Sequence, residues 1–282
     1  MSEILVTGAS GFIGSALVDR LIRDGQKVQP VGKHTADVSD RAYWSTLPQA
    51  QTVVHLAGRS GVSDSWHDPA AFIRVNLLGT INALEYCRHH GARLVFPSSY
   101  LYGNTAPLPV PETAPLAPHN PYALSKKLAE DTCAFYRDTF GISVVSLRLF
   151  NTYGPGQPDT FLIPRICRQV LQSETIVVDD LTPRRDYLFI LDLVDVITRL
   201  INAPDITGVF NVGTGASHSV QQVVDLVQEI VGTVLPVQSK ESPRSSEIGD
   251  TRADITRITN AIDWTPGWSL RAGLSATLGL FP

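Results

Sequence analysis

The chain lacks most of what would mark a secreted, membrane-bound or nucleic-acid-binding protein. Only three cysteines occur in 282 residues. Cys87, Cys133 and Cys167 lie too far apart for a disulfide framework or a metal-ligand spacing, which points to a reducing cytoplasm. No apolar run approaches the ~18 residues that would suggest a membrane span. The opening Met-Ser-Glu-Ile-Leu-Val-Thr-Gly has no basic segment ahead of its apolar stretch, so it does not read as a secretory signal. Basic runs are confined to Lys126-Lys127 and Arg184-Arg185. With a formal net charge of −4, that argues against a nucleic-acid backbone as partner. The histidines offer no zinc site: His89 and His90 are adjacent, face apart on a helix, and no second pair accompanies them.

What is present is apolar and periodic. Hydrophobic residues make up 43% and charged residues 18%, enough for a sizeable core and too apolar for a disordered chain. Short β-branched runs alternate with helical stretches. Ile4-Leu5-Val6 precedes 12–23, Lys27 to Val31 precedes 40–47, and Val53 to Leu56 precedes 69–90. Leu94-Val95-Phe96 precedes 121–140, and Val144 to Leu147 opens a further loop. Near-continuously apolar strands separated by helices predict an α/β fold with a parallel, doubly wound sheet covered on both faces. Gly25, Gly91 and Gly141 stand where three of the helices should stop. After Leu149 the chain becomes richer in Pro, Gly and short elements, with helices expected over 160–171, 192–201 and 220–231. The expected division is a dinucleotide-binding domain over 1–157, its sheet completed by 187–212. A smaller, interleaved substrate lobe takes 158–186 and 213–282.

Gly8-Ala9-Ser10-Gly11-Phe12-Ile13-Gly14 follows the first strand directly and opens the first helix. Glycine allows a tight turn and close approach of a pyrophosphate, while the helix N-terminus offers unpaired N–H groups and a partial positive charge. With 21 glycines in 282 residues, chance supplies about 0.1 such triplets, so the strand–loop–helix context carries the reading. At the end of the second strand a carboxylate would bind the ribose 2′-hydroxyl of NAD, and a basic residue would accommodate the 2′-phosphate of NADP. The sequence has Gly32 and Lys33 there, which tilts the cofactor expectation from NAD toward NADP. Asp37 and Val38 are expected near the adenine.

Tyr122-Ala123-Leu124-Ser125-Lys126 begins a helix after Pro121, so Tyr122 and Lys126 share a face. A nearby ammonium should favour the phenolate and lower the tyrosine pKa, suiting it to exchange a proton with a sugar hydroxyl or carbonyl. Ser98 and Ser99 run off the end of a strand, where the ligand crevice of a doubly wound sheet lies. A serine hydroxyl there can hold a substrate oxygen.

Together these motifs resemble the extended short-chain dehydrogenase/reductase family, in its sugar-nucleotide epimerase/dehydratase group. The matches run in order along nearly the whole chain: Thr7 to Gly14; Val54-His55-Leu56-Ala57-Gly58; Asn76-Leu77-Leu78-Gly79-Thr80; Ser98 to Gly103; Tyr122 to Lys126; and Arg148 to Pro155. Later come Arg185-Asp186-Tyr187, Asn211 to Gly215, and Trp264-Thr265-Pro266. The resemblance implies that Tyr122 is the acid/base, that Lys126 holds the nicotinamide ribose, and that Ser98 is the catalytic serine, with Ser99 beside it on the substrate. It implies that Leu56, Ala57, Gly58 and Phe150 bind the cofactor, Ala57 and Gly58 along its nicotinamide side, and that Asn76 fixes that stretch. Asn151, Arg185 and Arg244 are similar to positions that hold the substrate diphosphate, with a structural ion-pair role as the lesser alternative for Arg148 and Arg185. The segment after the second strand is shorter than the family's, and Arg244 stands five residues before Gly249-Asp250 instead of two.

The resemblance implies hydride transfer at a sugar carbon, C4 first, of a nucleoside-diphosphate sugar. A 4-epimerase is the leading expectation, and an NADPH-dependent 4-keto-6-deoxysugar reductase is the alternative. A dehydratase is disfavoured because Tyr100 and Leu101, not an Asp-Glu pair, follow Ser98-Ser99. A non-catalytic dinucleotide sensor would have no need of the Ser-Tyr-Lys set. Relatives pair the helices corresponding to 69–90 and 121–140 across a dimer interface, so a homodimer is expected.

Overall fold

The computed structural model describes residues 3–32, 37–104, 106–240 and 248–280. Lys33 and Arg244 lie outside the described residues. The chain opens with β1 (Ile4–Thr7), α1 (Phe12–Arg23), β2 (Val28–Val31), α2 (Arg41–Trp44) and β3 (Thr52–His55). Next come α3 (Val62–His67), α4 (Pro69–Ile73), a π-helical turn (Arg74–Leu78) and α5 (Gly79–His90), then β4 (Arg93–Pro97), α6 (Pro121–Phe140) and β5 (Val144–Leu149). The second half holds β6 (Asn151–Tyr153), α7 (Leu162–Gln172), β7 (Ile176–Val178), β8 (Arg184–Arg185), β9 (Tyr187–Phe189), α8 (Ile190–Asn202) and β10 (Gly208–Val212). It closes with β11 (His218–Ser219), α9 (Val220–Val231), β12 (Val237–Ser239), α10 (Thr256–Ile262) and α11 (Leu270–Thr277).

Six strands form the central sheet in the order β10-β5-β4-β3-β1-β2, every pair parallel. The expected doubly wound α/β architecture is therefore present. Leu5, Val53, Leu94 and Phe96 face α5 and α6, in a core with Ala83, Leu84, Ala129 and Cys133. Their chain neighbours Ile4, Val6, Val54 and Val95 face the other way, onto Leu17 and Leu21 of α1 and Leu193 and Ile197 of α8. Burial on both faces is why these strands read as unbroken apolar runs and not as alternating ones. Beyond β5 the short ladders β6–β9, β8–β11 and β7–β12 build a lobe along one end of the sheet.

Local chemistry sets the helix limits. Asp68 and Asn120 cap α4 and α6 by accepting from Ala71 N and Ala123 N, each with proline as the next residue. Gly91 and Gly141 end α5 and α6 in the left-handed conformation, as expected. The expected helix over 69–90 is continuous in direction but divided by the π turn. The extra residue in that turn points the Asn76 amide inward, and Asn76 is buried. Apolar periodicity reads straight through such a turn because the helix does not end there. Among the described residues no helix is long and apolar enough to cross a membrane. No group of three or more His, Cys, Asp or Glu that could hold a metal occurs among them either.

One buried cation fastens the sheet to its outer helix. Arg93, at the start of β4, donates from Nη1 to Leu200 O (2.7 Å) and Ala203 O (3.0 Å) and from Nη2 to Ile206 O (2.9 Å). Leu200 lies in the last turn of α8, and Ala203 and Ile206 follow its end, so one guanidinium gathers the chain as it leaves the helix. Replacing Arg93 with Met should lower unfolding stability by about 2–4 kcal/mol, because buried carbonyls lose charge-assisted partners. Denaturant titration should show an earlier midpoint with an unchanged slope.

Candidate active site

The turn after β1 depends on contacts that only glycine allows. Gly8 has φ +69°, and a Cβ there would lie 2.7 Å from Ala57 N and from Leu56 C at the end of β3. A Cβ on Gly14 would run into the Gly8 carbonyl oxygen. Gly11 N–H donates to Gly8 O (2.9 Å), and Gly11, in extended conformation, opens α1 with no side-chain cap. Phe12 and Ile13 pack against the core, so the N–H groups of this turn, not its side chains, are what it offers. A cradle that side chains would fill, at an uncapped helix N-terminus, fits a dinucleotide diphosphate.

At the adenosine end, a Cβ on Gly32 would stand 3.1 Å from the Ser10 hydroxyl oxygen, so a larger side chain at that place would press on the phosphate turn. Asp37 accepts from Ser39 N (3.0 Å) and Oγ (2.6 Å) and pairs with Arg74 (3.2 Å). The Ser39 bonds, and less so Arg74, hold its carboxyl below the usual range. Val38 is buried, and its carbonyl accepts from Trp44 Nε1 and Asn82 Nδ2.

Leu56, Ala57 and Gly58 leave the end of β3. Thr7 Oγ1 accepts from Ala57 N (3.2 Å) and bonds His55 Nδ1 (2.8 Å), tying the β1 and β3 ends together. Burial, aided by the Lys126 charge, pulls the His55 pKa down to about 3, so His55 is a neutral structural group at working pH. Asn76 Oδ1 accepts from Arg59 N (2.8 Å), while Nδ2 donates to Arg59 O (3.0 Å) and Ser125 Oγ (2.8 Å). Ser125 in turn donates to Tyr122 O. One amide thus fastens the loop after β3 to the helix that carries Tyr122.

Lys126 Nζ donates to Pro97 O at the end of β4 (2.6 Å) and lies 4.3 Å from the Phe96 ring centroid. Burial draws its pKa down to about 8, against the opposing pull of Cys133 and Glu130. One expectation is corrected here. Tyr122 is not acidified: burial pushes its pKa up, opposed by a hydrogen bond from Ser99. The ammonium one turn along is engaged by the Pro97 carbonyl. The hydroxyl that opposes this rise is that of Ser99, the neighbour of Ser98. Ser98 N–H still bonds Leu147 O as part of the sheet, and its buried Oγ has no partner among the described residues. Successive side chains of extended backbone point to opposite sides, so the next serine reaches α6.

Phe150 is buried edge-on to Tyr100, with ring centroids 5.3 Å apart. Beyond it a cavity of about 490 Å³ opens in the lobe, lined by Asn151 and Arg185 among others. Arg185 Nη1 donates to Arg184 O (2.7 Å) and Ile248 O (2.6 Å). Arg148 is not there. It is buried against Glu130 (2.6 Å) and bonds Tyr102 OH (2.8 Å), an internal ion pair. Ser60 to Asp64 also line the cavity, at the start of α3, which packs on α6. Sequence reasoning missed them. Their signal was a Ser- and Gly-rich stretch leaving a strand end at the crevice.

A glycine cradle at the head of the sheet, with a half-buried Tyr and Lys one turn apart on α6 and a serine at the neighbouring strand end, defines a dinucleotide-dependent oxidoreductase. The model of the NAD dependent epimerase/dehydratase family matches residues 4–213, and the chain belongs to that family. It is an NAD(P)-binding enzyme. The GDP-6-deoxy-D-mannose reductase of Pseudomonas aeruginosa is 32% identical, covering 98% of this chain and 96% of its own. The structure of RMD from Pseudomonas aeruginosa complexed with NADPH matches with a TM-score of 0.89 at 31% identity, over 99% of this chain and 98% of that one. The Thermus thermophilus UDP-glucose 4-epimerase in complex with NAD matches with a TM-score of 0.89 at 29% identity, over the same shares.

Gly14→Ala tests the cradle. NADPH titrated by its fluorescence should bind about tenfold or more weakly, because the added methyl forces the first turn of α1 away from Gly8.

Proposed function

We propose that the protein transfers hydride between NAD(P) and a ring carbon, C4 first, of a nucleoside-diphosphate sugar. The observation that carries this is Lys126 anchored on Pro97 O, one turn along α6 from Tyr122, at the strand ends where the glycine cradle also opens. Bound nicotinamide supplies or takes up the hydride. Tyr122 gives a proton to the developing alkoxide in reduction, or takes one from the hydroxyl in oxidation. Ser99 orients that oxygen. Lys126, charged and fixed by one carbonyl, has further N–H bonds to offer the ribose beside it. The cradle of Gly8, Ser10, Gly11 and Gly14 takes the cofactor diphosphate, and Asn151 and Arg185 take that of the substrate. Nucleotide sugars are what the reductase and epimerase relatives act on by name, which supports the same substrate class here.

Of the two net reactions, the 4-epimerase and the NADPH-dependent 4-keto sugar reductase, we favour the reductase on the residues at the end of β2. At the end of β2, where a carboxylate would favour NAD, the chain has Gly32, on which a Cβ would stand 3.1 Å from the Ser10 hydroxyl oxygen. The epimerase reading rests on the Ala57-Gly58 and Asn151 to Pro155 motifs. We further propose a homodimer through α4–α5 and α6, where Leu78, Leu124 and Phe135 are exposed.

Product mass from a panel of GDP- and UDP-sugars, including 4-keto forms, incubated with NADPH or NAD, decides. Gain of two hydrogens marks the reductase, unchanged mass with a new isomer marks the epimerase, and no turnover of any member refutes the proposal. With the active pair, Tyr122→Phe should lower the rate about a hundred- to ten-thousand-fold while NADPH affinity holds. Ser99→Ala should cost more than Ser98→Ala.

Reduction requires Tyr122 protonated and Lys126 charged. Lys126 loses its proton as pH rises through about 8, and Tyr122 titrates higher. The rate of ketone reduction should therefore be flat at neutral pH and fall above about pH 8. A maximum at alkaline pH would contradict this assignment.

A further inference from the structure

Next to Arg185 stands a buried carboxylate that neither the cofactor cradle nor the proton path uses. Asp186 has no solvent exposure. Its Oδ1 accepts from Thr214 N (2.7 Å) and Thr214 Oγ1 (2.7 Å), and its Oδ2 from Gly215 N (3.0 Å) and Ala253 N (3.0 Å). Burial raises its pKa and these bonds oppose the rise. A Cβ on Gly213 would stand 2.7 Å from Oδ2, so the turn after β10 is moulded onto the carboxylate.

Three stretches of chain meet at this one side chain. The first is β8, whose Arg184 donates from N to Gly249 O and accepts at O from Thr251 N. The second is the turn after β10. The third is the segment from Ile248 to Asp254, which also runs beside Val110. That segment supplies Ile248 O, the carbonyl that Arg185 Nη1 holds at 2.6 Å. Asp186 O, for its part, accepts from Asn151 N (3.0 Å). The two side chains assigned to the substrate diphosphate are therefore both hung from the residue 186 backbone and its clasp.

We propose that Asp186 is a positioning residue for nucleoside-diphosphate binding: its carboxylate clamps the 213–215 turn and the 248–254 segment so that Arg185 and Asn151 face the cavity together. The inference rests on the reading that places the substrate diphosphate at Arg185. Asp186 acts only through these neighbours, so its loss should weaken the nucleotide and leave the cofactor alone.

The test is calorimetric titration of the full chain with GDP and with UDP, alongside NADPH titration by fluorescence. Arg185→Ala tests the underlying reading and should weaken the better nucleotide about tenfold or more. If Arg185→Ala binds as well as the unaltered protein, or if the unaltered protein binds neither nucleotide, that reading fails and takes the inference with it. Asp186→Asn replaces one acceptor with an amide that faces N–H donors. It should weaken the same nucleotide about tenfold while NADPH affinity stays within about twofold. A merely structural role would weaken NADPH in step. Thr214→Val removes the hydroxyl that bonds Asp186 Oδ1 and the Ala216 main chain while keeping the Thr214 N–H bond, and should shift nucleotide affinity about two- to fourfold the same way, which carries the test if Asp186→Asn does not fold. Arg185→Ala weakened with Asp186→Asn unaffected, or with NADPH and nucleotide lost equally in both the Asp186 and Thr214 variants, overturns the proposal.

Discussion

Parallel pairing carries the C-terminal end of every strand in the central sheet to the same edge, and the whole site is assembled on that edge. Gly8 follows β1, Gly32 follows β2, Ala57 follows β3, Ser98 and Ser99 follow β4, and Phe150 follows β5. A parallel pair needs a crossover element on one face, so each of these loops ends a strand and starts a return path over the sheet. The register of the pairs then sets the spacing of the chemistry. Thr7 stands beside His55, and Pro97 beside Leu147, so a shift in any ladder would separate the cradle from the Lys126 anchor.

The edge is also where burial competes with charge. Lys126 keeps an ammonium in a setting that pulls its pKa down to about 8, and it does so with one short bond to a carbonyl and the face of an aromatic ring. One turn along the same helix, Glu130 is neutralised by Arg148 at 2.6 Å. Removing either member of that buried pair would strand the other, a larger penalty than the pair's own net contribution. The consequence for chemistry is that the tyrosine is poised as an acid, with a proton to give, and not as a ready phenolate.

The sheet, the phosphate turn and α6 were legible in the sequence because each rests on local rules: apolar runs for strands, glycine at forced turns, proline and asparagine at a helix start. Gly14 is such a case: its place at the junction of strand, loop and helix marks it as a glycine of close approach, and a Cβ there would run into the Gly8 carbonyl. The pairing of Tyr122 was not legible at this level. Whether Ser98 or Ser99 reaches the phenol depends on where the strand stops, and a one-residue difference in strand end reverses the side each hydroxyl faces. The direction of the tyrosine pKa was misread for a similar reason: proximity along a helix implied an ammonium partner, while the third dimension gave the ammonium to Pro97. Asn76 falls between these cases. Its place beside the loop after β3 was expected, but the π turn that aims it has no apolar signature.

Buried carboxylates in the two halves of the molecule are stabilised by different means, and the difference follows their tasks. Glu130 meets a guanidinium, which joins α6 to β5 inside a rigid core. Asp186 meets backbone N–H groups from two loops, which ties down segments that have no ladder of their own. An ion pair fixes two side chains. A carboxylate that accepts main-chain N–H groups fixes the path of the chain itself, and with it whichever side chains that path presents. The lobe can therefore change what it recognises by changing residues along those loops, while the Ser-Tyr-Lys edge stays as it is.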